Sequence, residues 1–235
     1  MNPLVIVLGV ILVVIIAMTL FSSFFSGSTT MVDKVNLLTS PLSDYPIDKL
    51  TTTSSRTYSV WTYVNTWTDN DKYKMIYGRV DDIVLYLDKA SSKLKCIIKP
   101  TANDISIVNG TTSVLTDLNK VTDITNDFPI QKWVFVTVVV DATNIVDYYL
   151  DGKLVKSVKL TSVAIDANNP ITYGKTHDTW IAQFKRSDKA VGPQDVWNMY
   201  AKGNPGSSLS SAVGNYNVNM SILKDNAVSS SLSLF

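Results

Sequence analysis

All 20 acidic side chains of this 235-residue chain are aspartates; there is no glutamate. Side-chain acid–base, nucleophilic or metal chemistry therefore falls to Asp, to the single histidine His177 and to the single cysteine Cys96. Asp69 and Asp71 share a face of an Asp69-Asn-Asp71 turn, a pattern that could offer oxygens to Ca²⁺. The competing reading is a plain hairpin turn with solvated aspartates. Asp81 and Asp82 are adjacent, and on a strand they point to opposite faces, so they do not form the opposed carboxylate pair of a glycosidase. His177 lies beside Asp178, but nothing around it forms a nucleophile elbow or an oxyanion motif. One histidine and one cysteine are too few for a structural zinc site. The chain is read as non-enzymatic, with no catalytic residue and no cofactor; Asp69 and Asp71 are its only calcium candidates.

Binding is the remaining chemistry. A glycan needs an aromatic platform beside polar groups, and Trp67 is the candidate, because it adjoins the Asp69 turn beyond an apolar stretch. Trp180 starts a strand. Cys96 alternates with Leu94 and Ile98 on one face, so it is read as a small core residue. With 21 basic and 20 acidic side chains the net charge is +1, which gives no reason to expect a nucleic-acid partner. Asn109-Gly-Thr111 and Asn219-Met-Ser221 match the glycosylation sequon, which matters only in an oxidising lumen.

The elements that must position these residues begin with an apolar run. Residues 4–25, bounded by Leu4 and Phe25, carry no charge, and the first charged side chain is Asp33. As a helix this run would span about 33 Å, enough for a bilayer core of about 30 Å. The run is longer than a signal-peptide core and has no basic flank. It is therefore expected to be an uncleaved transmembrane helix (1–25), followed by a Ser/Gly/Thr tether (26–31). The flanks hold too few Lys and Arg to set its orientation.

Residues 32–235 read as short strands separated by turns, the pattern of an all-β sandwich. Thr57-Tyr-Ser-Val-Trp-Thr-Tyr-Val64 is β-branched and aromatic throughout. Trp133-Val-Phe-Val-Thr-Val-Val-Val140 is nearly all apolar, as a strand covered on both faces should be. Asp151-Gly152 between two apolar runs predicts a type I′ hairpin. One short helix opens at Pro193, with Asp195 in its first turn and Gly203 past its end; its Val196 and Tyr200 are expected to seal an edge of the sandwich. Alternation from Asn215 to Ile222, then Lys224-Asp-Asn226, predicts a C-terminal hairpin over about 215–235, lying on the body of the sandwich.

Four segments in this order resemble the laminin-G-like, concanavalin A-like superfamily. They are the Trp61-bearing strand; Phe128-Pro-Ile-Gln-Lys-Trp133 with the strand after it; Asp147-Tyr-Tyr-Leu-Asp-Gly-Lys-Leu-Val155; and Ile181-Ala-Gln-Phe-Lys-Arg186 followed by Gly192-Pro-Gln-Asp-Val-Trp-Asn-Met-Tyr200. The resemblance implies a jelly-roll sandwich of two antiparallel sheets, with Trp61, Trp133 and Trp197 at core or sheet-packing positions. Its glycosidases carry Glu-x-Asp-x-x-Glu, which this chain cannot supply. An anchor followed by such a domain, without disulfides, is also similar to minor capsid proteins of large algal DNA viruses. The expectation is a membrane-held structural protein whose partners are the lipid bilayer and neighbouring capsid proteins, placed in a virion between internal membrane and shell. The alternative is a cell-surface lectin or adhesin that binds glycan near Trp67.

Overall fold

The computed structural model describes residues 28–50, 52–68, 71–110, 113–115, 117–161, 168–204, 219–224 and 227–233, the last two as backbone. The anchor expected between Leu4 and Phe25 lies outside these residues, and among the described residues no helix is long and apolar enough to cross a membrane.

Two antiparallel sheets face each other. The larger takes the order β1 (Ser28–Asn36), β11 (Thr179–Ser187), β2 (Arg56–Val64), β7 (Trp133–Val140), β8 (Ile145–Leu150), β9 (Lys153–Lys159). The smaller takes the order β10 (Thr172–Tyr173), β3 (Lys74–Arg79), β4 (Ile83–Leu87), β5 (Leu94–Ile98), β6 (Val121–Thr125). The period-2 pattern fixes the inner faces: Tyr58, Val60 and Val64 of β2 and Val134, Val136 and Val138 of β7 meet Leu85, Cys96 and Ile98 from the other sheet. Strand β1 begins at Ser28, paired with Ser187, so part of the segment composed like a tether is strand instead. Ladder hydrogen bonds to β11 outweigh the local preference of Ser and Thr for loops.

Each sheet carries a helix on its outer face. Helix α1 (Ala102–Val108) buries Ile105, Ile107 and Val108 against Met75, Val84 and Tyr86 of the smaller sheet. It was not expected, since its β-branched residues favour strands. A capping box between Thr101 and Asp104 starts it. Helix α2 (Pro193–Ala201) is the expected one, opening with Pro193 at its first turn. It does not seal an edge. Val196 packs on Val139 and Tyr149, on the outer face of the larger sheet, which explains why the outward residues of β7 are apolar as well.

The β8–β9 turn has Asp151 at φ 48° and Gly152 at φ 77°, as the type I′ geometry requires. A Cβ on Gly152 would also lie 2.9 Å from Trp197 of α2, so the glycine serves both the turn and the helix contact. At the C-terminus, β12 (Asn219–Lys224) and β13 (Ala227–Ser233) form the expected hairpin. Among the described residues it is a two-stranded sheet of its own, hydrogen-bonded into neither large sheet.

A candidate binding face on the larger sheet

Strand register brings together aromatics that are distant in sequence. Trp180 of β11 pairs with Tyr63 of β2, and Tyr63 pairs with Trp133 of β7. Directly opposed residues share a face, so the three form one row across three strands on the outside of the sandwich. All three are half-buried. Tyr63 and Trp133 have ring centroids 5.4 Å apart. Lys34 of β1 is the register partner of Ala182. Its Nζ lies 5.7 Å from the Trp133 ring centroid and 5.6 Å from that of Trp180, within cation–π range.

The neighbouring row is covered. Ala182, Trp61 and Phe135 pair across the same three strands, and α2 lays Met199 and Tyr200 over them. Trp61 and Tyr200 stack at 5.7 Å. Where α2 ends, an open cleft of about 340 Å³ remains. Trp61, Trp133 and Tyr200 supply its aromatic walls, and Lys132, Asp151 and Asn204 its polar groups. Asp151 is held in place because its Oδ1 accepts the Phe135 amide at 2.9 Å, while its Oδ2 lies 3.7 Å from Lys132 Nζ. The indole N–H of buried Trp61 has no hydrogen-bond partner among the described residues. The cleft therefore combines aromatic faces, a cation, a carboxylate and an amide: a binding chemistry.

Residues 42–196 match the family model of the concanavalin A-like lectin/glucanases superfamily. The chain belongs to this superfamily. No curated protein matches it. Among solved structures it is similar to the binding domain of botulinum neurotoxin DC in complex with rat synaptotagmin II (19% identity, TM-score 0.47, 63% of this chain and 35% of that one). It is also similar to that binding domain in complex with SialylT (20% identity, TM-score 0.48, 63% and 35%). A third is a structure concerning the dependence of botulinum neurotoxin type C cell entry on interaction with two ganglioside molecules (19% identity, TM-score 0.45, 63% and 35%). The chain spans about a third of the length of these structures.

In this concanavalin A-like domain the candidate residues fall in different places. Trp67 is not the exposed platform expected of it. It is half-buried against the core, with Lys74 Nζ 4.2 Å from its ring centroid. That ammonium also donates to the carbonyls of Lys72 and Lys89, each at 3.2 Å. Asp71 is exposed and pairs with Lys89 at 2.8 Å; its calcium-candidate partner Asp69 lies outside the described residues. Among the described residues no group of three or more His, Cys or Asp side chains could hold a metal ion. Trp197, expected to pack on the sheet, is 44% exposed, because on α2 it sits about 100° round from the inward Val196.

Asp82 is buried inside and Asp81 is exposed outside. His177 is buried with neither nitrogen hydrogen-bonded among the described residues. Burial pushes its pKa down to about 3, the Lys74 charge adds to this, and Asp178 opposes it. Asp178 is held below the usual carboxylate range by hydrogen bonds, first from Asn36 and Asn65 and then from Thr66. It thereby ties the end of β1 to the loop after β2. Burial pushes the Cys96 thiol up to about 12, which suits a core residue and not a nucleophile.

Proposed function

We propose that this chain is a non-enzymatic binding protein, held at a membrane by residues 4–25, whose sandwich makes protein–protein contacts. In its most specific form it is a minor capsid protein that ties a viral shell to an internal membrane. The half-buried row Trp180–Tyr63–Trp133 on the outer face, with Lys34 across it, carries this reading. Trp and Tyr are the side chains enriched at interface hot spots. The uncharged N-terminal run and the lack of any glutamate support the membrane-held and non-enzymatic parts.

Cross-linking mass spectrometry on purified particles, with detergent stripping, tests it. The expected result is cross-links from Lys34 and Lys132 to a shell protein, lost in a Tyr63→Ser/Trp133→Ala chain. Absence of the chain from both shell and membrane fractions would end the capsid reading.

The cleft at the end of α2 favours a second reading, a glycan stacked on Trp133 and Tyr200 and hydrogen-bonded by Lys132, Asp151 and Asn204. A glycan array in which Trp133→Ala abolishes binding while Trp67→Ala leaves it intact would support it. An array without binding removes it.

A further inference from the structure

The two sheets part at one corner of the sandwich. There β5 ends at Ile98, a 3-10 turn (Leu118–Lys120) leads into β6, and β9 ends at Lys159. Cys96 pairs with Thr122 and Ile97 with Val121, so Ile98 and Lys120 come just past the last pair of this ladder. Strands β6 and β9 are edge strands of different sheets. They are bridged where Lys156 Nζ donates to the Asp123 carbonyl at 2.8 Å.

Beside this bridge lies a cleft of about 310 Å³, within the size range of small-molecule sites. Its apolar floor is the core residue Ile98 with Val158 and Leu160, which pack against the core. Lys99, Lys120 and Lys159 surround that floor, and no carboxylate lines the cleft among the described residues. Asp117, 3.4 Å from Lys120 Nζ, is outside the lining and 45% exposed, so it offsets the Lys120 charge only weakly. An apolar floor ringed by ammonium groups matches a ligand with a short apolar part and an anionic head. The stems of the lysines extend the apolar wall while their charges stay at the rim.

We propose that this cleft binds an acidic headgroup, phosphate or carboxylate, borne on a short apolar chain. It lies between the sheets and not on the outer aromatic face, so it stands or falls independently of the protein-contact reading. The headgroup would sit among the ammonium groups in charge-assisted hydrogen bonds, and the chain would cover Ile98 and Leu160.

The test is calorimetric titration of the full chain in a neutral maltoside detergent with hexyl phosphate, inorganic phosphate and hexanol. The expected result is binding of hexyl phosphate, with inorganic phosphate about tenfold or more weaker for want of the apolar contact, and no detectable hexanol binding. Lys120→Ala/Lys159→Ala should weaken hexyl phosphate about tenfold or more, and a charge-matched Lys49→Ala/Lys153→Ala control should not. Single Lys120→Ala and Lys159→Ala chains, checked by thermal unfolding, serve if the double variant does not fold. Competition by dihexanoyl phosphatidic acid but not by dihexanoyl phosphatidylcholine would assign a lipid source. Competition by neither would assign a soluble one, and both results uphold the site. Equal affinity for hexyl and inorganic phosphate, binding unchanged in the lysine variants, or no binding at all would overturn it.

Discussion

Arg56 donates from Nε to Asp82 Oδ1 at 2.6 Å, and neither side chain is exposed. Arg56 belongs to the larger sheet and Asp82 to the β3–β4 turn of the smaller, so the pair fastens one sheet to the other. Tyr58 donates to the second carboxylate oxygen at 2.7 Å, and Arg79 Nη1 lies 3.4 Å from it. Arg186 extends the network by donating to the Tyr58 hydroxyl at 3.3 Å.

Removing the Asp82 charge should therefore unseat the clamp. Asp82→Asn is expected to lower the unfolding free energy by about 3–5 kcal/mol, because it leaves buried guanidinium charge without its carboxylate. Tyr58→Phe removes one hydrogen bond and should cost about 1–2 kcal/mol. Urea denaturation of the two variants measures both, and similar losses would contradict this ranking.

His177 should make stability depend on acid. Its folded pKa, about 3, lies below the ordinary value near 6.5, so the unfolded chain binds the proton more readily. The contribution to stability is complete above about pH 6.5 and declines as pH falls toward 3, by roughly 1.4 kcal/mol per pH unit. Urea midpoints between pH 7 and pH 4.5 should fall more steeply for the natural chain than for His177→Gln. Parallel profiles would remove His177 as the cause.

Gly152 should resist substitution for two separable reasons. Gly152→Ala meets both a positive φ and a Cβ position 2.9 Å from Trp197, and a loss of about 1–3 kcal/mol is expected. Trp197→Ala in the same chain should recover the steric part and leave the backbone part. Thermal melts of the single and double variants, read as a double-mutant cycle, show whether the two couple.

Cys96 should stay unreactive until the chain unfolds. A thiol with no exposure and a pKa near 12 offers almost no thiolate at pH 8. Labelling by an aromatic disulfide reagent should follow global unfolding in urea, not time in native buffer. Rapid labelling of the native chain would show that the strands around it open locally.

Much of the sandwich was legible in the sequence because its causes are local. The β-branched and aromatic run Thr57-Tyr-Ser-Val-Trp-Thr-Tyr-Val64 marks a strand. Asp151-Gly152 fixes a turn through positive φ, and Pro193 starts a helix without losing a needed amide. Helix α1 is not legible in the sequence because Ile105, Ile107 and Val108 are strand formers. Its only local sign is Thr101 set three residues before Asp104, with Asp standing where a capping box has Glu or Gln.

The candidate site was far less legible, because it depends on register between strands distant in the chain. Trp67 stood out by adjacency to a turn, yet Lys74 covers its ring. Trp133 reads as a packing residue and Trp180 only as a strand start, yet pairing through Tyr63 sets them in one half-buried row. Nothing near Arg56 in sequence names Asp82 as its partner.

The sequence by itself determined the chemistry denied to this protein. A chain without glutamate cannot run the glutamate mechanism of its superfamily, whatever its fold. It also determined strand character, through the side-chain period of two. Only the tertiary structure decided which aromatics line up, which charges are buried together and where the sheets part over three lysines. Those outcomes come from bringing remote strands within about 5 Å of one another, and local propensity carries no record of that pairing.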